Sequence, residues 1–166
     1  MAAGKTGKVF LNSPRVFDPK HFTHSVAVTG GRLVFLAGQV SYDREGRVLG
    51  KGDIRAQCER VFECIGHNLA IAGAGFHDII KLNAYLVAST PEAIRVYRDV
   101  RSRYLNAAQL PASTLVGVES LAHADLLIEV EAIACVQVPA PARKTAAARR
   151  PRKRAVHAAK KRAPRR

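Results

Sequence analysis

Two amphipathic segments with helical periodicity, set among strand-like segments, most strongly constrain what this chain can fold into. In the first, Asp53 has the position of an N-cap. Apolar residues then recur at three- and four-residue steps over 54–72, which predicts a helix of about five turns. In the second, Ser89 and Glu92 fit a capping box, and the same apolar spacing continues over 94–105. The chain is therefore expected to contain two helices, each with one apolar face.

Six further segments have the composition and periodicity of strands. They are Lys8–Asn12, His24–Thr29, Arg32–Val40, Asp78–Val87, Thr114–Val118 and Leu126–Gln137. Gly30-Gly31 is typical of a two-residue hairpin turn, which predicts that the second and third strands pair. The order β-β-β-α-β-α-β-β, with two helices able to cover one face, predicts an α+β fold with a mixed sheet of about six strands.

The last predicted strand has two different faces. The face suited to the helices carries Leu126, Ile128, Val130, Ala132, Ala134 and Val136, and the opposite face carries Leu127, Glu129, Glu131, Ile133 and Cys135. The second face is half apolar but also bears two carboxylates. It fits a subunit interface with a functional pocket, and it equally fits a solvent-exposed face with two solvated glutamates.

The positive charge is concentrated at the carboxyl end. Residues 139–166 hold 12 of the 27 Lys and Arg and none of the 13 Asp and Glu, so residues 1–138 are nearly neutral. We expect residues 1–138 to form one domain and 139–166 to be a disordered tail, because this Ala/Pro/Lys/Arg segment has little apolar surface to bury.

Dense positive charge predicts non-specific nucleic-acid binding by counterion release. The alternative is a solvated tail with no dedicated partner.

The three cysteines, Cys58, Cys64 and Cys135, show no zinc-ligand spacing, and we expect them to be reduced and buried in a cytoplasmic protein. The first eight residues lack the apolar stretch of a signal peptide, and no apolar run is long enough to span a membrane. The sequence predicts neither a metal site nor a cofactor.

Five local strings, in matching order and spacing, resemble the RidA (YjgF-like imine/enamine deaminase) family over about residues 8–138. They are His24-Ser-Val-Ala-Val, Val34-Phe-Leu-Ala-Gly-Gln, Asp53-Ile-Arg-Ala-Gln, Pro111-Ala-Ser-Thr-Leu-Val-Gly-Val and Ile128-Glu-Val-Glu-Ala-Ile-Ala. The resemblance implies a chorismate-mutase-like fold. It also implies a homotrimer in which the uncovered sheet faces pack together, with a ligand site at each subunit junction. The implied reaction is hydrolysis of small reactive imines and enamines to 2-oxo acids and ammonia.

The resemblance also assigns residues to this site. Glu129 matches the glutamate that orients water, and Gly38 matches a glycine whose backbone lines the pocket. His24 stands where the family usually has tyrosine, and an imidazole can still exchange hydrogen bonds there. Glu131 matches a second glutamate, whose role in the family is mainly structural. The competing interpretations are a solvated Glu129, a packing role for Gly38 and an ordinary polar residue at position 24.

The important departure from the family is Ser113, which stands where the archetypal deaminases have an arginine that clamps the substrate carboxylate. Together with Thr114 and Leu115, it is expected at the ligand site. Losing the arginine should weaken binding of an anionic imine by at least about one to two orders of magnitude. Arg98 on the second helix could compensate, although the arginines spaced over 95–103 are more typical of a solvated helix face.

Three functions are therefore compatible with the sequence. The leading interpretation is an imine or enamine hydrolase with altered or weakened specificity. The alternatives are a non-catalytic trimer that binds a small metabolite, and a nucleic-acid-associated protein that acts through its basic tail.

Overall fold

The computed structural model describes residues 7–137, and the predicted basic tail lies outside the described residues. The strands are β1 (Gly7–Leu11), β2 (Ser25–Thr29), β3 (Arg32–Gln39), β4 (Ile79–Val87), β5 (Ala112–Val118) and β6 (Ile128–Val136). The helices are α1 (Ile54–Ile71) and α2 (Pro91–Ser102), and a short 3-10 helix, Phe76–Asp78, precedes β4. The predicted element order and the α+β class are confirmed.

The six strands are divided between two sheets. Four form a mixed sheet in the order β3-β6-β4-β5, in which β4 and β5 run parallel and the other neighbours antiparallel. The remaining two, β1 and β2, pair with each other. The predicted hairpin at Gly30-Gly31 is therefore wrong. Both glycines have positive φ, 66° and 92°, as a tight turn requires, but the turn directs the chain from one sheet into the other.

Both helices cover one face of the four-stranded sheet, and the core lies between these layers. On β6, the side chains of Ile128, Val130 and Ala132 are buried there, as the alternation along this strand predicts. The apolar stripe of α1, which includes Phe62, packs onto them. The Phe62 ring also stacks on the ring of Tyr104, which follows α2 in the chain, with 5.1 Å between the ring centroids. This pair covers one end of the core.

The two helix starts differ in how well the sequence predicted them. Asp53 caps α1 as expected, with its Oδ1 accepting hydrogen bonds from the Arg55 and Ala56 amides. The predicted cap of α2 is wrong by one residue, because Thr90 rather than Ser89 is the N-cap. The reason is that Pro91 is the first helical residue, which leaves the position immediately before it as the cap.

Within residues 7–137, neither helix is long and apolar enough to cross a membrane.

The cap assignment can be tested with two neighbouring substitutions. Thr90 Oγ1 accepts a hydrogen bond of 3.1 Å from the Ala93 amide, so Thr90→Ala should lower the free energy of unfolding by about 1 kcal/mol. Ser89→Ala serves as the matched control and should change it by less than about 0.5 kcal/mol. Urea denaturation measures both. A loss for Ser89→Ala that equals or exceeds the loss for Thr90→Ala would contradict this assignment.

Candidate functional site

The sheet face that the helices leave uncovered, here called the open face, carries most of the polar side chains of the central strands. Register places Tyr85 of β4 opposite Glu129 of β6, and Asn83 opposite both Glu131 and Thr114 of β5. Tyr85, Asn83, Glu129 and Glu131 are half-buried, and Thr114 is exposed. The open face therefore has an apolar framework with a polar centre.

The structure brings two of the predicted site residues, Glu129 and Gly38, into direct proximity. The register between β3 and β6 shifts between Leu36 and Gln39, and this irregularity places Gly38 against the Glu129 side chain. A Cβ at position 38 would overlap the Glu129 carboxylate, so only glycine leaves the carboxylate in this position. Within residues 7–137, no hydrogen bond or ion pair engages this carboxylate, which leaves both its oxygens available to water.

Glu131 differs from Glu129 because its carboxylate is already engaged. Its Oε1 accepts a hydrogen bond from Asn83 Nδ2 and another, of 3.3 Å, from Tyr85 Oη. Burial, and then the negative charges of Glu131 and Glu129, raise the pKa of Tyr85, so its hydroxyl stays protonated and can donate. These contacts suit a residue that holds neighbouring strands together.

His24 lies just before β2, in a small aromatic cluster. Its Nε2 is 2.9 Å from the Phe17 carbonyl oxygen, and its ring meets those of Phe17 and Phe22 edge-on at 5.1 and 5.3 Å. Within residues 7–137, no hydrogen bond or aromatic contact joins His24 to Glu129 or Gly38.

Residues 113–115 are divided between the two faces of the sheet. Ser113 and Leu115 lie opposite Leu82 and Ala84 of β4 and face α2. Thr114 points to the open face, where its Oγ1 accepts a hydrogen bond of 2.7 Å from Lys81 Nζ. Within one chain, Ser113 and Glu129 therefore lie on opposite sides of the sheet.

Ser113 and Leu115 line a cavity of about 230 Å³ between β5 and α2, which we call the helix-side cavity. Arg98 also lines it, so this arginine shares a cavity with Ser113 although not with Glu129. Arg95 and Arg103 are exposed and paired with acidic side chains, as expected of a solvated face.

Arg101 departs from that expectation, because it is only 5% exposed. One of its Nη atoms donates to the His21 carbonyl, and its guanidinium lies 5.5 Å from the centre of the Tyr97 ring. Burial lowers the pKa of the His21 imidazole, and so do the nearby positive charges of Arg98 and Arg101. Spacing could have revealed this burial, since Arg101 falls seven residues after Ile94 and four after Tyr97, on the apolar stripe of α2.

All three cysteines are free, as predicted. Cys58 and Cys135 are buried, and burial raises the pKa of the Cys58 thiol to about 12. The prediction was wrong for Cys64, which is half-exposed. Within residues 7–137, His, Cys, Asp and Glu do not gather into a group of three that could hold a metal ion.

Comparison with known proteins agrees with this architecture. A sequence model of the family described as Endoribonuclease L-PSP matches residues 18–136. A RutC family protein of Pyrococcus abyssi is 39% identical over 111 residues, which cover 67% of this chain and 84% of that protein. The chain belongs to the RidA-like family.

Solved structures of other RidA-like proteins have the same fold. A member of the conserved Rid protein family from Yersinia pestis is 30% identical and superposes with a TM-score of 0.73, covering 78% of this chain and 98% of that one. RidA from an Antarctic Psychrobacter is 27% identical with a TM-score of 0.57, covering 69% of this chain and 88% of that one. The family and the fold predicted from the sequence are thus confirmed.

The contact between Gly38 and Glu129 leads to a structural prediction. Gly38→Ala should leave the protein folded, because Gly38 does not need positive φ and the clashing atoms belong to the end of a flexible side chain. The added methyl group should instead displace the Glu129 carboxylate. Gly7→Ala is the control, since a Cβ there would meet nothing within 4 Å. A crystal structure of Gly38→Ala with the carboxylate unmoved would contradict this account.

Proposed function

We propose that this RidA-like protein hydrolyses small reactive imines and enamines to carbonyl compounds and ammonia, with Glu129 as the catalytic residue. The observation that carries the proposal is the contrast between two glutamates on one strand. The half-buried Glu129 carboxylate has no hydrogen-bond partner within residues 7–137, whereas Glu131 is held by Asn83 and Tyr85. Glu129 is therefore free to bind and orient water.

The chemistry needs a group that first accepts and then returns a proton. As the water oxygen bonds to the imine carbon, the Glu129 carboxylate takes one water proton and passes it to the imine nitrogen, which gives a carbinolamine. Glu129 then takes the hydroxyl proton of the carbinolamine and delivers it to the same nitrogen. The carbon–nitrogen bond breaks with its electron pair leaving on ammonia, and the hydroxyl oxygen becomes the carbonyl oxygen. Water and imine thus give a carbonyl compound and ammonia, and Glu129 ends unchanged.

Ser113 sets the expected specificity. A serine supplies a single neutral hydrogen bond where the archetypal family members have a charged fork, so binding through position 113 should be weaker for anionic imines. If the protein turns over no imine, the alternative is a non-catalytic trimer that binds a small metabolite.

We further propose that the active form is a homotrimer in which the open faces pack together. Large apolar side chains are exposed on this face, including Phe35 at 71%, Leu33 at 49% and Val116 at 41%. Solvent-exposed apolar surface of this kind is typical of an interface. Packing would enclose Glu129 and exclude bulk water from the reaction.

The family description also names an endoribonuclease activity. Within residues 7–137, Lys81 brings one positive charge to the open face, but the two carboxylates at its centre would repel a phosphate backbone. The same carboxylates suit a small, uncharged or positively charged imine centre.

The catalytic role of Glu129 is tested by the hydrolysis of freshly generated 2-iminopropanoate. Glu129→Gln keeps the shape of the side chain but removes the proton acceptor, so the enzymatic rate should fall by about a hundredfold or more. Glu119→Gln, at an exposed glutamate, should leave the rate unchanged. Equal rates for the wild type and Glu129→Gln would refute the proposal, and so would a folded wild-type protein that accelerates hydrolysis of neither 2-iminopropanoate nor uncharged imines.

The trimer is tested by sedimentation of charge variants. Phe35 lies on the edge strand β3, where Phe35→Glu would place a carboxylate in the proposed interface and should convert trimers to monomers. Ile71→Glu is the matched control, because Ile71 is 88% exposed at the end of α1, away from the open face. A monomeric wild type, or a trimer that survives Phe35→Glu, would contradict the proposed assembly.

A further inference from the structure

The basic tail, residues 139–166, is a feature of the sequence that the proposed hydrolysis leaves unused. It holds 12 of the 27 Lys and Arg of the chain and none of the 13 Asp and Glu. All 13 carboxylates belong instead to residues 7–137. Whether the tail needs a partner outside this chain therefore depends on how many of those carboxylates are free to neutralise it.

Most of the carboxylates are already engaged by nearby cations. Within residues 7–137, Lys and Arg side chains form ion pairs with eight of the 13. The other five are Asp18, Asp53, Glu119, Glu129 and Glu131. They are scattered, since Asp53 caps α1 and the two glutamates of β6 lie on the open face. Even together, these five could match fewer than half of the 12 cations of the tail. Most of the tail's charge thus has no counterpart in this chain.

The place where the tail leaves the fold carries positive charge as well. Val136, the last residue of β6, lies opposite Arg32 of β3. Arg32 is exposed, and within residues 7–137 its guanidinium donates to the Ala72 carbonyl and forms no ion pair. Glu129 lies near the other end of β6, roughly 23 Å away at about 3.3 Å per residue. A polyanion held near the start of the tail is thus kept from the Glu129 carboxylate.

We propose that the basic tail binds double-stranded nucleic acid through its phosphate backbone, without sequence preference. Eight of the 12 cations in the tail are arginines, and the planar guanidinium fork matches a pair of phosphate oxygens. A duplex carries about one negative charge per 1.7 Å of its axis, and cations that neutralise these charges release bound counterions. This release favours binding by a segment that is rich in positive charge.

The composition of the tail matches two other polyanions less well. Single strands are usually held by stacking of their bases on aromatic rings, and residues 139–166 contain no Phe, Tyr or Trp. Stable attachment to a membrane usually needs an apolar anchor beside the basic residues, and Val156 is the one large apolar side chain of the tail. A duplex requires neither feature, because it presents its phosphates on the outside.

The proposal is tested by fluorescence anisotropy, in which the full chain is titrated into a labelled DNA duplex of about 30 base pairs. We expect saturable binding with a Kd in the micromolar range near physiological salt. With about six phosphate contacts, half the number of cations in the tail, affinity should fall about a thousandfold between about 50 and 200 mM salt. A duplex of unrelated sequence should bind equally well.

Two fourfold variants separate the tail from the net charge of the protein. The first replaces four arginines of the tail: Arg149→Gln, Arg150→Gln, Arg152→Gln and Arg154→Gln. It removes a third of the tail's cations, so affinity should fall about tenfold or more and depend less steeply on salt. The matched control removes the same charge from exposed arginines of residues 7–137: Arg15→Gln, Arg44→Gln, Arg47→Gln and Arg95→Gln. It should bind within about threefold of the wild type, because salt screens charges that lie beyond about 10 Å from the duplex.

Deletion of residues 139–166 should abolish duplex binding, and an unchanged unfolding midpoint would show that the fold is intact. Retained binding after this deletion, equal weakening by the two fourfold variants, or an affinity that does not depend on salt would overturn the proposal. Tighter binding of poly(U) single strands, or of phosphatidylserine vesicles, than of the duplex at equal salt would also overturn it. Duplex binding needs neither Glu129 nor a trimer, so it can fail or succeed separately from the proposed hydrolysis.

Discussion

The alternation of apolar and polar side chains along β6 is the constraint on which the rest of this structure depends. β6 lies inside the four-stranded sheet, between β3 and β4, so each of its side chains faces either the helices or the open face. A shift of register by one residue would bury Glu129 and Glu131 under the helices and expose Ile128 and Val130. Unpaired carboxylates in that core would be very costly. One pattern therefore fixes both the register of the sheet and the location of its carboxylates.

The neighbouring strands, rather than β6 itself, make the two glutamates chemically different. β4 presents Asn83 and Tyr85 to Glu131, and these groups occupy its carboxylate. β3 presents Gly38 to Glu129 at an irregular point in the ladder, where no side chain competes for the space. A carboxylate that binds water needs free space around it and oxygens without hydrogen-bond partners, in addition to a fixed place on the strand. Here the room comes from one missing side chain on an adjacent strand.

Sequence periodicity predicted the elements and the faces well, and it failed where the outcome depends on distant partners. The alternation in β6 placed Glu129 on the open face, and the Asp53 cap was correct, because both depend on local geometry. The Gly30-Gly31 turn was real, but local sequence could not show that β3 would pair with β6 rather than with β2. Arg101 was misjudged for a related reason. Four arginines within nine residues suggest a solvated face, yet the sheet behind α2 extends far enough to bury one of them.

The burial of Arg101 shows why a single substitution on β5 is a poor guide to charge in the cavity beside it. Position 113 faces α2, so any anion held there would be bound jointly by a strand and a helix. Where β5 lacks a cationic residue, α2 can supply one. The cationic residue must then lie on the apolar stripe of α2 that packs against the sheet. Arg101 satisfies this condition through its spacing from Ile94 and Tyr97, whereas Arg98 is exposed and reaches only the edge of the cavity. The relevant unit for comparing members of this family is therefore the pair β5 and α2, rather than the strand motif alone.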